Sequence, residues 1–294
     1  MNKRFVYGAQ ATGLYAFYYM FRALPLSWSS AFGGWLGRIL GPRLSVSERA
    51  RHNLRMIFPE KSDAEIEKIV KGMWDNLGRV AFEFPHLSRI RADKLPDWLI
   101  VEGVENLQKV IDSRKTAIFV SAHFGNWEIF TPIARHYRLP LVFVYRTANN
   151  PWVETLFQRG RSGFAELIPK GTKGARRLAA ALREGKSLAL LVDQKMNEGI
   201  SVPFLGLPAK TVPTPAHLAL RAHYPILPIR SERLDGHRIK VTFYPPLSPP
   251  EGMERQEAAR IVTEKINDVI GEWIRERPEQ WFWLHRRWPG SKKK

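Results

Sequence analysis

The chain has 294 residues, of which 44 % are hydrophobic and 25 % charged, so it can bury a full core as one large domain or two smaller ones. This composition excludes a wholly disordered or fibrous chain, and the lack of cysteine excludes disulfides and thiolate chemistry. Lysine and arginine total 46 against 28 acidic residues, and the formal charge of +18 predicts an anionic partner: nucleic acid, a membrane face, an acidic protein or a phosphorylated substrate.

The first 42 residues are rich in aromatic side chains and poor in charge. No charged residue lies between Arg4 and Arg22, and a second uncharged stretch ends at Arg38. The first stretch is near the shortest length, about 20 residues, that spans a bilayer as a helix. Aromatic residues that favour the membrane–water boundary occur at Tyr7, Tyr15, Tyr18, Tyr19, Trp28 and Trp35. We therefore predict a membrane-anchoring helical segment over residues 1–42, as one span or as a hairpin in one leaflet; a pair of core helices is the alternative.

Cations that follow the two uncharged stretches also indicate an anionic surface. Arginines follow at Arg38, Arg43, Arg49, Arg51 and Arg55, and such a run suits an anionic cytoplasmic leaflet, with a solvated helix face as the alternative. The C-terminal stretch 273–288 interleaves arginines with Trp273, Trp281, Trp283 and Trp288. That mixture suits a lipid headgroup zone or single-stranded nucleic acid.

From residue 43 onwards, helix and strand patterns alternate. Ser62 and Glu65 form a capping box at the start of a long amphipathic helix over 62–84. Short apolar runs of strand type occur at 117–120, 141–145, 188–192, 225–229 and 239–244. Helix-compatible stretches lie between them, and a last long helix covers 255–277. The alternation predicts an α/β domain over 43–294, with a mixed sheet flanked by helices.

Polar side chains follow three of these strands at the point where each strand ends. His123 comes after the first strand, Arg146 after the second, and Asp193 and Gln194 after the third. In open α/β sheets, ligands gather at the carboxyl ends of strands. These side chains therefore converge on one edge of the sheet if the three strands are neighbours.

His123 and Glu128 form an H-x4-E pair with Gly125 and Asn126 between them. On a continuous helix, five residues would turn the two side chains about 140° apart. They can meet if the histidine precedes a helix that Asn126 caps and the glutamate lies in its first turn, with Gly125 supplying the turn. In that geometry Glu128 holds one ring nitrogen and the other accepts a proton from a hydroxyl. Roughly one such pair is expected by chance, so the prediction rests on this context; a buried structural histidine is the alternative.

The segment HFGNWE (123–128) resembles the H-x4-D/E motif of glycerolipid-type acyltransferases. Its version with tryptophan and glutamate resembles the lipid A late acyltransferases, the lauroyl and myristoyl transferases of lipopolysaccharide assembly. Further segments agree with that family in order along the chain: ARHNLRMIFPE (50–60), YRTANNP (145–151), VDQK (192–195), VPFLGLPAKT (202–211) and PEQWFWLHRRW (278–288).

This resemblance implies a glycerolipid acyltransferase-like fold and an enzyme at the cytoplasmic face of the bacterial inner membrane. Such an enzyme transfers a fatty acyl chain from acyl carrier protein to a hydroxyl of a phosphorylated lipid A precursor. It implies His123 as general base and Glu128 as its partner, without a metal or cofactor and without nucleic acid. The substrate-binding residues expected on this basis are Asn126, Arg146, Asn150, Lys170, Asp193 and Gln194.

Two further features bear on the substrates. Lys170, Lys173, Arg176 and Arg177 form a cluster that fits the carrier protein or a phosphate, with a solvated helix face as the alternative. The oxyanion of acyl transfer needs donors, for which Arg146 and the backbone N–H groups of 125–127 are candidates. The rival functions are acylation of another membrane glycolipid or a lysophospholipid, and a non-catalytic basic membrane- or nucleic-acid-binding protein.

Overall fold

The computed structural model describes residues 3–113, 116–145, 147–161, 165–169 and 172–290. Within these ranges the α-helices are α1 (Lys3–Ala23), α2 (Leu26–Leu40), α3 (Ser47–Ile57), α4 (Asp63–Leu87), α5 (Val104–Ser113), α6 (Phe130–His136), α7 (Pro151–Arg161), α8 (Thr172–Arg183), α9 (Thr214–Ala222) and α10 (Arg255–Glu276). The strands are β1 (Leu99–Glu102), β2 (Ile118–Ser121), β3 (Leu141–Tyr145), β4 (Ala165–Pro169), β5 (Ser187–Leu191), β6 (Ile200–Phe204), β7 (Leu207–Thr211), β8 (Ile226–Arg233) and β9 (Ile239–Phe243).

Seven strands form one mixed sheet in the order β1-β9-β8-β2-β5-β3-β4. Neighbours are parallel except β8 and β9, which pair antiparallel. The α/β class with a mixed sheet is thus confirmed, and each strand predicted from an apolar run is present. The sequence patterns did not reveal β1, β4 or the separate hairpin of β6 and β7. The hairpin strands carry Pro203 and Pro208, which make a strand hard to recognise because proline lacks a ladder donor.

The apolar core lies in two layers, one on each face of the sheet. Ile118, Val142 and Leu188 point to the face covered by α4, α8, α9 and α10, here called the α10 face. Their neighbours Phe119, Phe143 and Ala189 point to the face covered by α5, α6, α7 and α1, here called the α6 face. Successive residues of a strand point to opposite sides, so each layer takes alternate side chains of the same strands.

The N-terminal helices pack on α4 along one side and expose apolar side chains on the other. A methyl group at Gly33 of α2 would lie only 2.6 Å from the carbonyl oxygen of Gly78, so glycine permits this close approach of α2 and α4. The exposed apolar side chains include Phe5, Tyr19, Met20, Trp28, Phe32, Trp35, Ile39, Leu40 and Leu44, here called the N-terminal apolar face. Among the described residues, none of the helices combines the length and apolar character needed to cross a bilayer.

A buried ion pair connects α4 to β8 beneath the H-x4-E segment. Arg233 donates to both oxygens of Glu83, at 2.7 and 2.9 Å, and Ser30 of α2 donates to the same carboxylate at 2.6 Å. Asn126 donates to it as well, at 2.8 Å. Burial by itself would raise the pKa of Glu83, but the Arg233 charge and these hydrogen bonds outweigh burial and lower it. The ion pair therefore ties the N-terminal helices, the sheet and the H-x4-E segment together.

Candidate active site

The three strands that precede the predicted polar residues are neighbours in the sheet. β5 lies between β2 and β3 and is parallel to both, so their carboxyl ends share one edge. His123 follows β2 by two residues and Asp193 follows β5 by two residues. The expected convergence of His123 and Asp193 is therefore present, whereas Arg146, at the end of β3, lies outside the described residues.

His123 is held by Asp193 through its ring and its backbone. Nδ1 of His123 lies 2.8 Å from Oδ1 of Asp193, and the backbone N–H of His123 donates to Oδ2 at 2.9 Å. Trp281 also donates to Oδ2, through its indole N–H, at 2.8 Å. Burial would raise the pKa of this fully buried carboxyl, but the His123 ring and the hydrogen bonds hold the pKa well below its usual range. Asp193 therefore stays ionised and fixes the hydrogen of His123 on Nδ1.

The prediction that Glu128 holds a ring nitrogen of His123 is wrong. Glu128 instead accepts two hydrogen bonds from Arg161 of α7, at 2.8 and 2.6 Å. Gly125 does adopt the required turn, with φ of +56°, and Asn126 caps the following turn by accepting from the Glu128 N–H at 3.2 Å. That cap directs the Glu128 side chain towards α7, while Asp193, which is distant in sequence, takes Nδ1. Glu128 still lines the same cavity as His123.

The second ring nitrogen of His123 faces the side chain of Gln194. Nε2 of His123 lies 3.3 Å from the amide nitrogen of Gln194, which also lies 3.4 Å from Nε2 of His285. Because Nδ1 carries the hydrogen, Nε2 of His123 is left with a lone pair and accepts from the Gln194 amide. Gln194 was expected to bind substrate, and it does lie at the cavity wall beside the nitrogen that would act as base.

His285 is a residue of this site that the sequence analysis missed. Its ring centroid lies 5.1 Å from that of His123. Burial lowers the pKa of His285 to about 4, against the opposing effect of Asp193, so its ring is neutral near pH 7. The sole signal in the sequence was its place in the segment 278–288, which carried no residue-level prediction. Trp127 and Phe282 also flank His123, with ring centroids at 5.2 and 6.3 Å.

A cavity of about 640 Å³ opens beside His123. This volume is in the range of about 300–1,000 Å³ found for sites that enclose a whole ligand. Most of its wall is apolar, and the charged or polar groups on it include His123, Glu128, Arg161, Gln194 and Lys195. The site thus combines a proton acceptor with space suited to hydrocarbon.

Other expected substrate contacts have structural roles. Asn126, expected to bind substrate, is fully buried, and both ends of its amide are bonded within the protein, to Glu83 and to the Glu128 N–H. Asn150 caps α7 by accepting from the Trp152 N–H at 3.1 Å, and it donates to the Tyr7 carbonyl of α1. Asp193 was also expected to touch substrate, but it lies behind His123. Lys170 lies outside the described residues.

Two further expectations need correction. The Gly125 N–H, a candidate oxyanion donor, already donates to the Gln280 carbonyl at 3.0 Å. The C-terminal aromatic rings do not form an exposed platform for lipid or nucleic acid, because the core buries Trp273, Trp281, Trp283 and Trp288. Composition placed aromatic rings beside cations, but tertiary packing decides which of the two reaches the surface.

His123, Asp193 and His285 could in principle hold a metal ion, since one ligand atom of each lies within 4.8 Å of the others. The donor set argues against this role. Both oxygens of Asp193 already accept N–H groups, and the His123 nitrogen that faces Asp193 is the one carrying the hydrogen. The arrangement is that of a hydrogen-bonded carboxylate–imidazole pair, which suits proton transfer.

Comparison with known proteins identifies the reaction class. The family described as bacterial lipid A biosynthesis acyltransferase matches residues 7–289. The Escherichia coli lipid A biosynthesis palmitoleoyltransferase is 27 % identical over 264 residues, covering 86 % of this chain and 82 % of the relative. The lauroyltransferase of the same organism is 27 % identical over 247 residues, covering 80 % and 76 %. The site and these relatives define the protein as an acyltransferase. The chain belongs to the bacterial lipid A biosynthesis acyltransferase family.

Among solved structures, the chain is similar to the 1-acyl-sn-glycerophosphate (LPA) acyltransferase PlsC from Thermotoga maritima. The TM-score is 0.39 at 12 % identity, and the match covers 87 % of this chain and 96 % of that one.

Proposed function

We propose that this protein transfers a fatty acyl chain from acyl carrier protein to a hydroxyl of a lipid A precursor. The observation that carries the proposal is the His123 ring, whose Nδ1 lies 2.8 Å from the buried Asp193 carboxylate and which lines a cavity with apolar walls. Membership of the family supports the reaction, and the relatives named palmitoleoyl-, lauroyl- and myristoyltransferase support lipid A as the acceptor and a fatty chain as the transferred group.

In this mechanism the acceptor hydroxyl replaces the Gln194 amide at Nε2 of His123. His123 removes the hydroxyl proton as the oxygen attacks the thioester carbonyl, and Asp193 stabilises the imidazolium that forms. When the tetrahedral intermediate collapses, the carbon–sulfur bond breaks and His123 returns the proton to the leaving sulfur. General-base assistance of this kind contributes about 10²–10⁴-fold.

Glu128 keeps a place in the proposed catalytic centre through Arg161. Their double hydrogen bond fixes a guanidinium on the cavity wall. A fixed cation of this kind stabilises negative charge on the substrate or on the oxyanion without reorganising during the reaction. Glu128 thus positions Arg161, and Asp193 takes the role of orienting His123.

We further propose that the N-terminal apolar face lies against the cytoplasmic leaflet of the inner membrane. Its exposed rings include Tyr19, Trp28 and Trp35, the residue types that favour the interface. Arg43 beside this face is exposed, and the net charge of +18 favours an anionic leaflet. A monotopic contact of this type buries apolar side chains at the headgroup boundary.

The acidic carrier protein has a candidate contact on α8. Lys173 and Arg176 are exposed there, whereas Arg177 forms ion pairs with Glu166 and Glu184. The predicted cluster therefore retains Lys173 and Arg176 as cations directed to solvent, on the helix that also contributes the cavity-lining residue Leu178.

The test is mass spectrometry of lipid products in bacterial cells that lack their own late acyltransferases. The wild-type chain should add one acyl chain to the lipid A precursor, and His123→Ala should not. His217→Ala, at an exposed histidine of α9 that does not line the cavity, serves as the matched control and should remain active. Acylation of lysophospholipid alone would overturn the lipid A acceptor, and an active His123→Ala protein would overturn the assignment of the base.

A further inference from the structure

The cavity beside His123 is lined from both faces of the sheet. Phe143 and Val144 are consecutive in β3 and both line it, as are Leu190 and Leu191 in β5. Consecutive residues of a strand point to opposite faces. The cavity therefore reaches both faces of the sheet at the carboxyl-terminal edge of β3 and β5.

The part of the cavity on each face has its own apolar wall. The part on the α6 face, here called the α6 arm, is lined by Phe119, Phe130, Phe143, Ala189, Leu191 and Ile229, which belong to the core layer of that face. The part on the α10 face, here called the α8 arm, is lined by Val144, Leu178, Leu190 and Val212, which pack with the opposite layer. His123 and Gln194 lie at the sheet edge, where the two arms meet.

The α6 arm adjoins the part of the protein that carries the N-terminal apolar face. The α6 arm is covered by α6, and α7 packs on the same core layer. The N-terminus of α7 is bonded to α1: Tyr15 donates to the Trp152 carbonyl at 3.2 Å, and Asn150 donates to the Tyr7 carbonyl at 2.9 Å. A lipid that leaves a membrane under α1 would meet this arm first.

The helix that lines the α8 arm and the loop at the cavity edge both carry exposed cations. Leu178 forms its wall from α8, and the same helix exposes Lys173 and Arg176. Lys195, also exposed, lines the cavity just beyond β5. An acidic soluble carrier is attracted to such a surface, so a chain delivered by that carrier would enter this arm.

We infer that the cavity holds two hydrocarbon chains at the same time, one on each face of the sheet. The hydroxyacyl chain of the acceptor lipid occupies the α6 arm and the acyl chain of the carrier-bound donor occupies the α8 arm. Their hydroxyl and thioester then meet at His123. The inference rests on the proposed function and adds the residues that select each chain.

Two variants that enlarge one arm each test the inference. Leu178→Ala lengthens the α8 arm, and Phe143→Ala lengthens the α6 arm. With a series of donors of increasing chain length and a fixed acceptor, Leu178→Ala should shift the kcat/KM preference towards longer donors by about tenfold, since one methylene is worth roughly that factor in an apolar pocket. Phe143→Ala should leave donor preference unchanged and shift preference among acceptors of different hydroxyacyl length. Leu218→Ala, a half-buried leucine of α9 that does not line the cavity, should change neither.

Both variants shifting donor preference alone would overturn the inference, because the cavity would then be a single donor pocket. An absence of any shift would overturn it as well. A second measurement separates failure of the two-chain inference from failure of the proposed function: native mass spectrometry counts the molecules of dodecanoic acid bound to each protein. The filling variants Leu178→Trp and Ala189→Leu should each lose one bound chain, and the double variant two. If the double variant lost only one bound chain, the inference of two arms would be refuted. If it lost two chains but the wild type did not acylate lipid A, only the proposed acceptor would be refuted.

Discussion

The substitution Asp193→Asn tests which carboxylate serves His123, the proposed general base. Oδ2 of Asp193 accepts two hydrogen bonds, from the His123 backbone and from Trp281, and Oδ1 faces Nδ1 of His123. The amide oxygen of asparagine should take the Oδ2 position, since two donors meet there. Its NH2 group then faces Nδ1, which must accept, and the ring hydrogen moves to Nε2. His123 would no longer be able to accept the substrate proton.

The expected loss of kcat is large because the variant holds the His123 ring in the wrong tautomer. In hydrolases with an equivalent carboxylate–histidine pair, the same change lowers kcat by about 10⁴, or about 5.4 kcal/mol of transition-state free energy. Asparagine keeps the size of the side chain and its three hydrogen bonds, one of them reversed, but loses the charge that strengthens them. The free energy of unfolding should therefore fall by only about 1.5–3 kcal/mol, the usual value for a hydrogen bond to a charged group.

The assay is steady-state acyl transfer with acyl carrier protein as donor and lipid A precursor as acceptor, with kcat and KM determined separately. Glu128→Gln is the matched comparison, because the sequence context and the family resemblance made Glu128 the expected partner of His123. Asp193→Asn should lose kcat at nearly unchanged KM, and Glu128→Gln should lose less, with a rise in KM as Arg161 is released. If Asp193→Asn kept most of its kcat while Glu128→Gln lost four orders of magnitude, the assignment of Asp193 would be refuted.

Three other predictions concern stability and membrane contact. Because the pKa of His285 is depressed to about 4, its contribution to stability is present above pH ~6.5 and is lost as the pH falls towards 4, by up to about 3 kcal/mol. Chemical denaturation as a function of pH should show this loss for the wild type and not for His285→Gln. The same pH dependence of stability in both proteins would contradict the prediction. Glu83→Ala should lower the free energy of unfolding by about 3–5 kcal/mol because it leaves Arg233 charged and buried, whereas adding Arg233→Met should recover part of that loss; equal stability of the two would count against the ion pair. Replacing both Trp28 and Trp35 with serine should reduce the amount of protein that sediments with vesicles of anionic phospholipid, while the circular-dichroism spectrum of the protein stays unchanged. Undiminished sedimentation would refute the proposed contact surface.

Much of the site could be predicted from strand ends. The apolar runs located β2, β3 and β5, and the rule for carboxyl ends brought His123 and Asp193 to one edge. The hydrogen-bond partner of His123 could not be predicted, because the order of strands in the sheet is a tertiary property. Glu128 is near in sequence but turned towards α7, whereas β5 pairs directly with β2 and delivers Asp193.

The C-terminal tryptophans show a second limit of sequence reasoning. Their mixture with arginine is the same composition that marks a lipid interface. Trp281 instead donates to Asp193, and Trp288 donates to the Phe204 carbonyl of the hairpin. The N-terminal rings of similar composition do reach solvent at Trp28 and Trp35. Composition alone does not separate these two cases, because burial depends on what packs against each ring.

The hydrogen bond from Ser30 to Glu83 makes the start of the chain part of the machinery that shapes the reaction centre. We therefore expect that cutting the protein at the compositional boundary at residue 42 would disturb this centre. A version beginning at residue 43 would lose the helix that covers Gly78 and would remove the Ser30 hydrogen bond to Glu83, the carboxylate that also accepts from Asn126. Attempts to obtain a more tractable enzyme should therefore exchange the outward-facing rings for polar side chains and retain the helices that carry them.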